Sequence, residues 1–400
     1  MIDFQLTEDQ KRIKTEIESF ILEKIQPYEK DPRLSSHGPS EELRIELNQL
    51  ARDAGYFAPH APKEYGGMGY DHVTMAIAFE AAGLSPLGPI ALHCAAPDEG
   101  NMNLLSKIAT EAQKDRYLAP LVRGDIRSCF CMTEPNGAGA DPTQIITTAK
   151  RDGDDFILNG RKWFITGAEG ADFTIIFATI EEREEADIAY GPTMFLSPMN
   201  EKGISLIRPL ETIDQSFTGG HWEVEIKDLR LPKSAILGQA GEGFRNVQTR
   251  LAPARLTHCM RWLGAAKRAH MIASEYAAKR QAFGKTLGQH EGVSFMLADN
   301  EIELQQARLM IWWAASLLDH GEKARHESSM VKTAVSESLF RIADRCVQIL
   351  GGMGVSDDTV VSQIFREIRA FRIYDGPSEV HRWAIGNRVL KSANETSNDT

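Results

Sequence analysis

The period of the apolar residues changes twice along the chain, and this change restricts the possible folds more than any other feature of the sequence. Thr7 and Gln10 match a helix capping box, and the apolar residues that follow recur on one helical face. This pattern and three later ones predict that residues 1–124 form a mainly helical amino-terminal domain, with the first apolar face in its core. The later helices are predicted near 40–54, 71–83 and 108–122, and the apolar face consists of Leu6, Ile13, Ile17, Phe20, Ile21 and Ile25.

From Cys129 onwards, short segments alternate apolar and polar residues as half-buried strands do. The dipeptide Asn159-Gly160 separates two of these segments and predicts a tight hairpin turn. The charged run 181–185 predicts a solvated loop, since like charges repel each other and stay hydrated. Residues 125–240 are therefore predicted to form a central β domain. Its strands are predicted at 155–158, 161–166, 174–179, 193–196 and 221–226.

Long helical patterns return after Gly241 and Gly243, and residues 241–395 are predicted to form a carboxy-terminal helical domain. The last residues, 396–400, are predicted to be a flexible tail. This order, helical then β then helical, gives an α+β multidomain fold and disfavours the alternating βαβ units of a doubly wound sheet. The carboxy-terminal helices are predicted near 243–280, 291–319, 324–350 and 379–390.

Composition and charge narrow the functional classes. The 400 residues carry a formal net charge of −11, which opposes binding to nucleic acid phosphates. The five cysteines form neither a regular disulfide framework nor a zinc-binding spacing, and this pattern fits a reducing compartment. Since the amino end lacks the features of signal and transit peptides, and no apolar run of about 18 residues occurs, we expect a cytoplasmic protein without a membrane span.

The glycine clusters fit none of the common nucleotide-binding motifs. The segments 137–139, 238–243 and 351–354 do not spell the strand-to-helix G-x-G-x-x-G of a dinucleotide-binding βαβ unit. The sequence also lacks the P-loop motif, the H-E-x-x-H motif and paired C-x-x-C, and its eleven histidines show no ligand spacing. We therefore predict neither P-loop chemistry nor a metal site.

Three stretches combine glycine, aromatic and ionisable residues, and the second and third also have a purely structural interpretation. Residues 129–141 form an apolar strand and a loop rich in backbone donors, which can hydrogen-bond the polar edge of a planar ring. Residues 159–167 place aromatic rings and a hydroxyl on a strand, where they can face a flat cofactor or merely fill a sheet core. Residues 371–381 place Asp375 in a turn before a helix, where an acid commonly initiates the helix or stays solvated.

Taken together with 280–285 and 348–354, these stretches resemble the acyl-CoA dehydrogenase family over nearly the whole chain. The segments 62–67 and 241–244 also look like family positions. The resemblance implies an amino-terminal helical domain, a central β-barrel-like domain and a carboxy-terminal four-helix bundle. It also implies an FAD-dependent oxidoreductase of fatty acid β-oxidation that converts an acyl-CoA to the trans-2-enoyl-CoA.

The resemblance assigns cofactor roles to residues in four motifs. The backbone that leads to Thr133, together with the Thr133 hydroxyl, corresponds to the part that faces the flavin ring. Arg280 and Phe283 look like the pair that reaches the FAD pyrophosphate of a neighbouring subunit, and the loop from Gln348 looks like the one that meets its adenosine part. These contacts imply a homotetramer or a homodimer. The implied FAD-binding residues are Phe130, Met132, Thr133, Phe164, Thr166, Arg280, Phe283, Gln348, Gly351 and Gly352.

The resemblance also implies how the substrate is bound and deprotonated. Asp375 corresponds to the base that removes the α proton while a hydride passes from the β carbon to N5 of the flavin. Most family members carry Glu in this turn, and one subgroup has Asp-Gly-Pro as here. The alternative base position of the family is Ala254, which cannot accept a proton. The implied substrate-binding residues are Ala140, Arg255, Tyr374 and Gly376, with His258 a weaker candidate, and a surface helix arginine is the competing interpretation of Arg255.

Three positions depart from the common family pattern. Ala140 replaces a serine that helps to hold the thioester, Glu291 replaces a glutamine near the neighbouring FAD, and Pro377 replaces a threonine. The family's usual electron acceptor, electron-transfer flavoprotein, is implied as a partner. Two other interpretations stay open, namely an oxidase-like flavoprotein that passes electrons to oxygen and a catalytically silent flavoprotein that serves as a binding subunit.

Overall fold

The predicted order of helical and β segments is confirmed in the computed structural model, which describes residues 5–181 and 189–398. Most of the chain up to Val122 is helical, strands dominate from Ser128 to Leu237, and long helices follow from Gly243. The helices are α1 Glu8–Phe20, α2 Glu41–Asp53, α3 His72–Ala82, α4 Gly88–Ala91, α5 Asp98–Ile108, α6 Glu111–Gln113, α7 Ala119–Val122, α8 Gly243–Lys279, α9 Glu291–Asp319, α10 Arg325–Leu350, α11 Val361–Phe371 and α12 Ser378–Asn398.

One of two compact units is helical apart from a short hairpin, in which strand β11 Gln281–Ala282 pairs with β12 Lys285–Thr286. Helix α1 begins with the predicted capping box, and its predicted apolar face is buried except for the partly exposed Leu6. Helix α3 is tied to α9 by an ion pair in which Arg308 donates to the buried Glu80 carboxylate at 2.7 Å. This unit consists of residues 5–30, 71–89 and 252–398.

Helix α10 lies against α9, α11 and α12 at the centre of the carboxy-terminal helices. Its Glu337 carboxylate accepts hydrogen bonds from Arg372 at 3.0 Å and from the Ser378 hydroxyl at 2.6 Å. These two residues lie at opposite ends of the connection between α11 and α12. Glu337 therefore anchors both ends of the turn that carries Asp375.

The other unit, residues 31–70 and 90–251, is built around a mixed eight-stranded sheet. The strand order is β10-β7-β6-β4-β5-β9-β8, and β3 pairs in parallel with β6. Within the described residues the edge strands β8 and β10 do not pair with each other, so the sheet stays open. The strands are the small hairpin β1 Leu34–Ser35 and β2 Gly38–Pro39, then β3 Ser128–Cys131, β4 Thr148–Asp152, β5 Asp155–Thr166, β6 Phe173–Ile180, β7 Gly191–Pro198, β8 Ile204–Leu210, β9 His221–Pro232 and β10 Ile236–Leu237.

The hairpin turn predicted at Asn159-Gly160 is wrong, because both residues lie inside the continuous strand β5. The register between β5 and β9 shifts at this dipeptide, which marks a β-bulge. The Asn159 side chain accepts a hydrogen bond from the backbone N–H of Asp228 at 2.8 Å, and Gly160 lies so close to Thr147 that a Cβ would clash. The dipeptide therefore serves packing within the sheet, and the chain reverses instead at Gly153, whose φ is 65°.

The predicted long helices are confirmed, and two segments differ in extent. The pattern near 108–122 is divided into α6, a π turn at Lys114–Leu118 and α7. Helix α12 continues past the predicted end to Asn398, so residues 396–398 of the predicted tail are helical, while 399 and 400 lie outside the described residues. In the charged run, Glu181 is exposed and the residues after it lie outside the described ranges. The three-domain boundaries stay a prediction.

Candidate active site

Asp375 lies in a left-handed turn between α11 and α12. Its φ is 53° and that of Gly376 is 96°, conformations that residues with a side chain seldom adopt. The carbonyl of Asp375 accepts hydrogen bonds from Nε of Arg255 at 3.1 Å and from Nε2 of His381 at 3.2 Å. Burial, followed by the charge of Arg255, lowers the pKa of His381 to about 4, so this imidazole is neutral at pH 7. Side chains from α8 and α12 thus hold the strained turn in place.

The Asp375 carboxylate faces His258 on α8. Its Oδ2 lies 3.1 Å from Nε2 of His258, and both side chains are largely buried. The His258 ring packs beside the Tyr374 ring, with centroids 4.9 Å apart, and the Tyr374 hydroxyl accepts a hydrogen bond from Trp262 at 2.6 Å. The structure therefore brings together the predicted base and the residues that the turn and α8 contribute to substrate binding. These residues are Asp375, Arg255, His258, Tyr374 and Gly376.

A buried lysine that the sequence did not single out belongs to the same cluster. Lys332, in the middle of α10, is fully buried, and its ammonium lies 5.0 Å from the centre of the Phe371 ring. None of the described residues offers its Nζ a hydrogen-bond partner. Burial lowers the pKa of Lys332 to about 8, although the charge of Asp375 acts in the opposite direction. The sequence signal for this lysine is its position among the apolar and small residues of a helix core.

In the sheet unit, β5, β3 and the residues directly after β3 contain the positions predicted to face the flavin ring. The Thr133 hydroxyl donates to the Trp163 carbonyl at 2.5 Å, and the Trp163 N–H donates to the Thr133 carbonyl at 3.1 Å. Phe164 has a φ of 52°, and about half of its surface is exposed. A strained and exposed aromatic residue within a strand indicates a binding surface more than a sheet core.

Thr166, at the end of β5, belongs to a chain of three polar side chains. Its hydroxyl lies 3.0 Å from Nδ1 of His221, whose Nε2 lies 3.1 Å from Oδ2 of Asp214. Although burial alone would raise the pKa of Asp214, its hydrogen bond with His221 lowers that pKa, so the carboxylate is ionised and accepts. His221 therefore donates through Nε2 to Asp214, while its Nδ1 shares a hydrogen bond with the Thr166 hydroxyl. No motif in the sequence pointed to His221 or Asp214.

A buried ion pair anchors the loop that follows Thr133. Oε1 of Glu134 lies 2.8 Å from Nζ of Lys162, and both side chains are fully buried. Glu134 also accepts from the backbone N–H of Thr147 at 2.9 Å, and Lys162 donates to the Met132 carbonyl at 3.1 Å. Glu134, through its ion pair with Lys162, thus fixes the backbone of Met132 and Thr133, the segment expected to face the flavin.

Two predicted cofactor residues lie far from the Asp375 turn in the helical unit. Arg280 and Phe283 occupy the β11–β12 hairpin, where both are exposed and Phe283 is 96% exposed. Arg280 directly follows the end of α8, and roughly 37 Å of helix separates it from Arg255, taking about 1.5 Å per residue. A role of this hairpin at a neighbouring subunit's cofactor is compatible with that separation.

The other predicted residues are dispersed. Phe130, in β3, has the guanidinium of Arg250 at 4.2 Å from the centre of its ring. The exposed residues Gln348, Gly351 and Gly352 lie at the end of α10, while Ala140 is exposed in a loop and Glu291 at the start of α9.

No helix in the described part of the chain is long and apolar enough to cross a membrane. The described residues also contain no group of three His, Cys, Asp or Glu side chains that could hold a metal ion.

Comparison with protein families agrees with this order of helical and sheet segments. Models of the amino-terminal, middle and carboxy-terminal domains of acyl-CoA dehydrogenases match residues 7–125, 129–228 and 241–390. These three matches define the class of the protein by its fold, since together they span most of the chain in the order amino-terminal, middle and carboxy-terminal domain. The chain belongs to the acyl-CoA dehydrogenase family.

Two relatives show how much of the chain this sequence similarity covers. It is 35% identical over 394 residues to "Acyl-CoA dehydrogenase family member 11" of Gallus gallus, a match that covers 94% of this chain and 50% of the relative. It is 37% identical over 354 residues to "Probable acyl-CoA dehydrogenase FadE2" of Mycobacterium tuberculosis, with 88% and 86% covered. The chain thus spans about half the length of the first of these relatives and most of the second.

Three solved structures share the fold. Butyryl-CoA dehydrogenase from Megasphaera elsdenii is 29% identical with a TM-score of 0.86, and the match covers 97% of this chain and all of that one. A chain from a study of the electron-transferring flavoprotein of Acidaminococcus fermentans is 28% identical, with the same TM-score and coverage. A glutaryl-CoA dehydrogenase from Mycobacterium smegmatis in complex with FADH2 is 25% identical, with a TM-score of 0.84 and coverage of 96% and 95%.

Proposed function

We propose that the protein is an FAD-dependent acyl-CoA dehydrogenase that forms a double bond between the α and β carbons of a fatty acyl-CoA. The α carbon loses a proton to a base, the β carbon loses a hydride, and the electron pair left on the α carbon becomes the new π bond of the trans-2-enoyl-CoA. FAD, when bound, supplies the hydride acceptor at N5. The observation that carries the proposal is the largely buried Asp375 carboxylate, held in a strained turn by side chains of two helices.

Asp375 is the proposed base because its position is fixed from the backbone outward. Arg255 and His381 bind its carbonyl, and His258 contacts its carboxylate. An aspartate has two side-chain torsions, so fixing the backbone and one carboxylate oxygen leaves little freedom for the other oxygen. A base held in this way needs little reorganisation to reach an α proton, which is the main advantage of a positioned catalytic group. In this proposal Arg255, Tyr374 and Gly376 contact the thioester beside Asp375, and Ala140 keeps the substrate-binding role that the family resemblance implies for it.

The residues of the chain fit FAD in three respects. The exposed Phe164 offers an aromatic face to a flat ring. The Thr166 hydroxyl lies in the same strand, β5, and the Thr133 hydroxyl donates a hydrogen bond to that strand. Phe283 is almost fully exposed at the tip of its hairpin, so its ring is available for contact with the FAD of a neighbouring subunit. Gly351 and its neighbour Gly352 have open space where a side chain would be, so a ligand can approach their backbone closely.

We further propose electron-transfer flavoprotein as the electron acceptor and a homotetramer or homodimer as the assembly. The acceptor is supported by the structural relative from a study of an electron-transferring flavoprotein. The assembly is supported by the exposed hairpin with Arg280 and Phe283, for which the family resemblance implies contact with a neighbouring subunit's FAD.

The test is anaerobic titration of the FAD-loaded protein with short, medium, long and branched acyl-CoAs, followed by flavin absorbance. We expect the flavin of the wild type to bleach with at least one thioester. Asp375→Asn should bind the same amount of FAD but bleach at least about 10³-fold more slowly, because the amide cannot accept the α proton. The matched control is Asp357→Asn, which changes an exposed acid just before α11 and should bleach like the wild type.

Three other outcomes would contradict the proposal, one for the base, one for the electron acceptor and one for the enzymatic activity itself. Rapid bleaching of the Asp375→Asn variant would place the base elsewhere. Turnover in air with stoichiometric peroxide would indicate an oxidase. An FAD-loaded protein that no CoA thioester reduces would be a silent flavoprotein.

A further inference from the structure

His258 contacts two charged side chains through its two ring nitrogens. Its Nδ1 lies 3.0 Å from Nη2 of Arg261, and its Nε2 lies 3.1 Å from Oδ2 of Asp375. A guanidinium group has only donors, so Nδ1 of His258 must accept and carries no proton. The ring proton is therefore on Nε2, where it points at the carboxylate of Asp375.

We propose that His258, held in its Nε2–H tautomer by Arg261, is a positioning residue that orients the carboxylate of Asp375 and keeps it ionised. This inference rests on the proposed function, in which Asp375 is the base. His258 and Arg261 are three residues apart on α8, so they lie on one face of a rigid helix that is independent of the Asp375 turn. The imidazole plane is fixed by the rings of Phe371 and Tyr374, whose centroids lie 5.9 Å and 4.9 Å from that of His258.

The charge on Arg261 gives the arrangement its chemical value. A His258 ring protonated on both nitrogens would be positively charged and would form an ion pair with the Asp375 carboxylate. This ion pair would make the carboxylate a weaker base. The positive charge of Arg261 opposes this second protonation, because the new proton on Nδ1 of His258 would face the guanidinium group of Arg261. His258 thus donates a hydrogen bond as a neutral ring, which holds the carboxylate without cancelling its charge.

Other ionisable groups surround the Asp375 turn, and among them Glu337 holds its two ends through Arg372 and Ser378. Helix α8 contributes Arg255 as well as His258, α10 contributes Lys332, and α12 contributes His381. Arg255 and His381 bind the carbonyl of Asp375, and Lys332 acts on the turn by its charge alone. The contact between His258 and Oδ2 differs from these in that a neutral ring donates directly to the carboxylate.

The first test compares two substitutions of His258 by the rate of anaerobic flavin reduction with a saturating acyl-CoA. His258→Leu removes the donor and should slow reduction about 10- to 100-fold with FAD content unchanged, because the carboxylate is no longer held. His258→Gln restores an N–H near the Nε2 position and should recover most of that loss. Equal rates for the leucine variant and the wild type, or equal losses for both variants, would overturn the proposal.

The second test does not depend on turnover. Solid-state NMR of the protein labelled with ¹⁵N-histidine reports the protonation of each ring nitrogen, and the His258→Gln variant identifies the His258 signals. We expect a bare Nδ1 and a protonated Nε2 between pH 6 and 8, and a second proton on the ring at the acidic end of this range in Arg261→Gln. A proton on Nδ1 of the wild type at pH 7 would refute the inference. If Asp375→Asn still bleaches rapidly, the proposed function fails, while the tautomer of His258 is judged by the spectrum alone.

Discussion

Replacing Lys332 by methionine should stabilise the protein, because this lysine holds a charge in a place that offers its Nζ no hydrogen bond among the described residues. Burial lowers its pKa from 10.5 to about 8. At about 1.4 kcal/mol per unit, this shift corresponds to roughly 3 kcal/mol of unfavourable free energy for the charged form in the folded protein. Methionine has a similar length and no charge, so Lys332→Met should raise the free energy of unfolding at pH 7 by about 2–3 kcal/mol.

The pH dependence gives this prediction a sign that packing alone would not produce. Between pH 8 and 10.5 the unfolded chain keeps the Lys332 proton while the folded protein has released it. Stability of the wild type should therefore rise with pH across this window, since the unfolded state binds more protons. Lys332→Met lacks this contribution, so the advantage of the variant should shrink steadily from pH 8 towards 10.5.

Urea unfolding followed by circular dichroism at pH 7.5, 9 and 10 measures both effects. Lys391→Met, which removes an exposed lysine of α12, is the matched control and should change stability by less than about 0.5 kcal/mol. A Lys332→Met protein that is less stable than the wild type at pH 7.5 would refute the reasoning. So would a stability difference that stays constant from pH 7.5 to 10.

Two further substitutions test the anchoring of the sheet loop and of the Asp375 turn. Lys162→Met should lower the free energy of unfolding by about 3–5 kcal/mol, because Glu134 keeps a buried charge without its partner, and thermal unfolding measures this. A loss below about 1 kcal/mol would show that Glu134 is satisfied by its other contacts. Gly376→Ala should slow flavin reduction while FAD content stays normal, because the φ of 96° and a Cβ only 2.6 Å from Nε2 of His381 force the turn to move. Unchanged reduction kinetics in this variant would mean that the turn does not position the base.

The order of segments was predictable because long helices and short strands have different apolar periods. The helices α8, α9 and α10 repeat that period over many turns, so local sequence was enough to find them. The Asn159-Gly160 dipeptide misled because its local preference for a turn is outweighed by contacts with Asp228 and Thr147, which are distant in sequence. The short distance between Gly160 and Thr147 has no signature in the residues around position 160.

The candidate site was predictable where a motif is contiguous and hidden where it is assembled from separate helices. Asp375 and Tyr374 belong to one turn, so their sequence context identified them. Lys332 reaches the turn from α10, and its importance depends on burial, which a single lysine in a helix does not reveal. The spacing of His258 and Arg261 is visible in the sequence, but its meaning depends on a carboxylate more than a hundred positions away.

The left-handed backbone at position 375 also limits which residues evolution can place there. Glycine, asparagine and aspartate are among the residues that adopt positive φ readily, and of these three only aspartate carries a group that can serve as the proposed base. Of these three residues, all suit the backbone of the turn and one suits the proposed chemistry. Asparagine and glycine are each a single nucleotide change away from aspartate, so a lineage could lose proton abstraction here without losing its fold, and its descendants would persist as inactive flavoproteins.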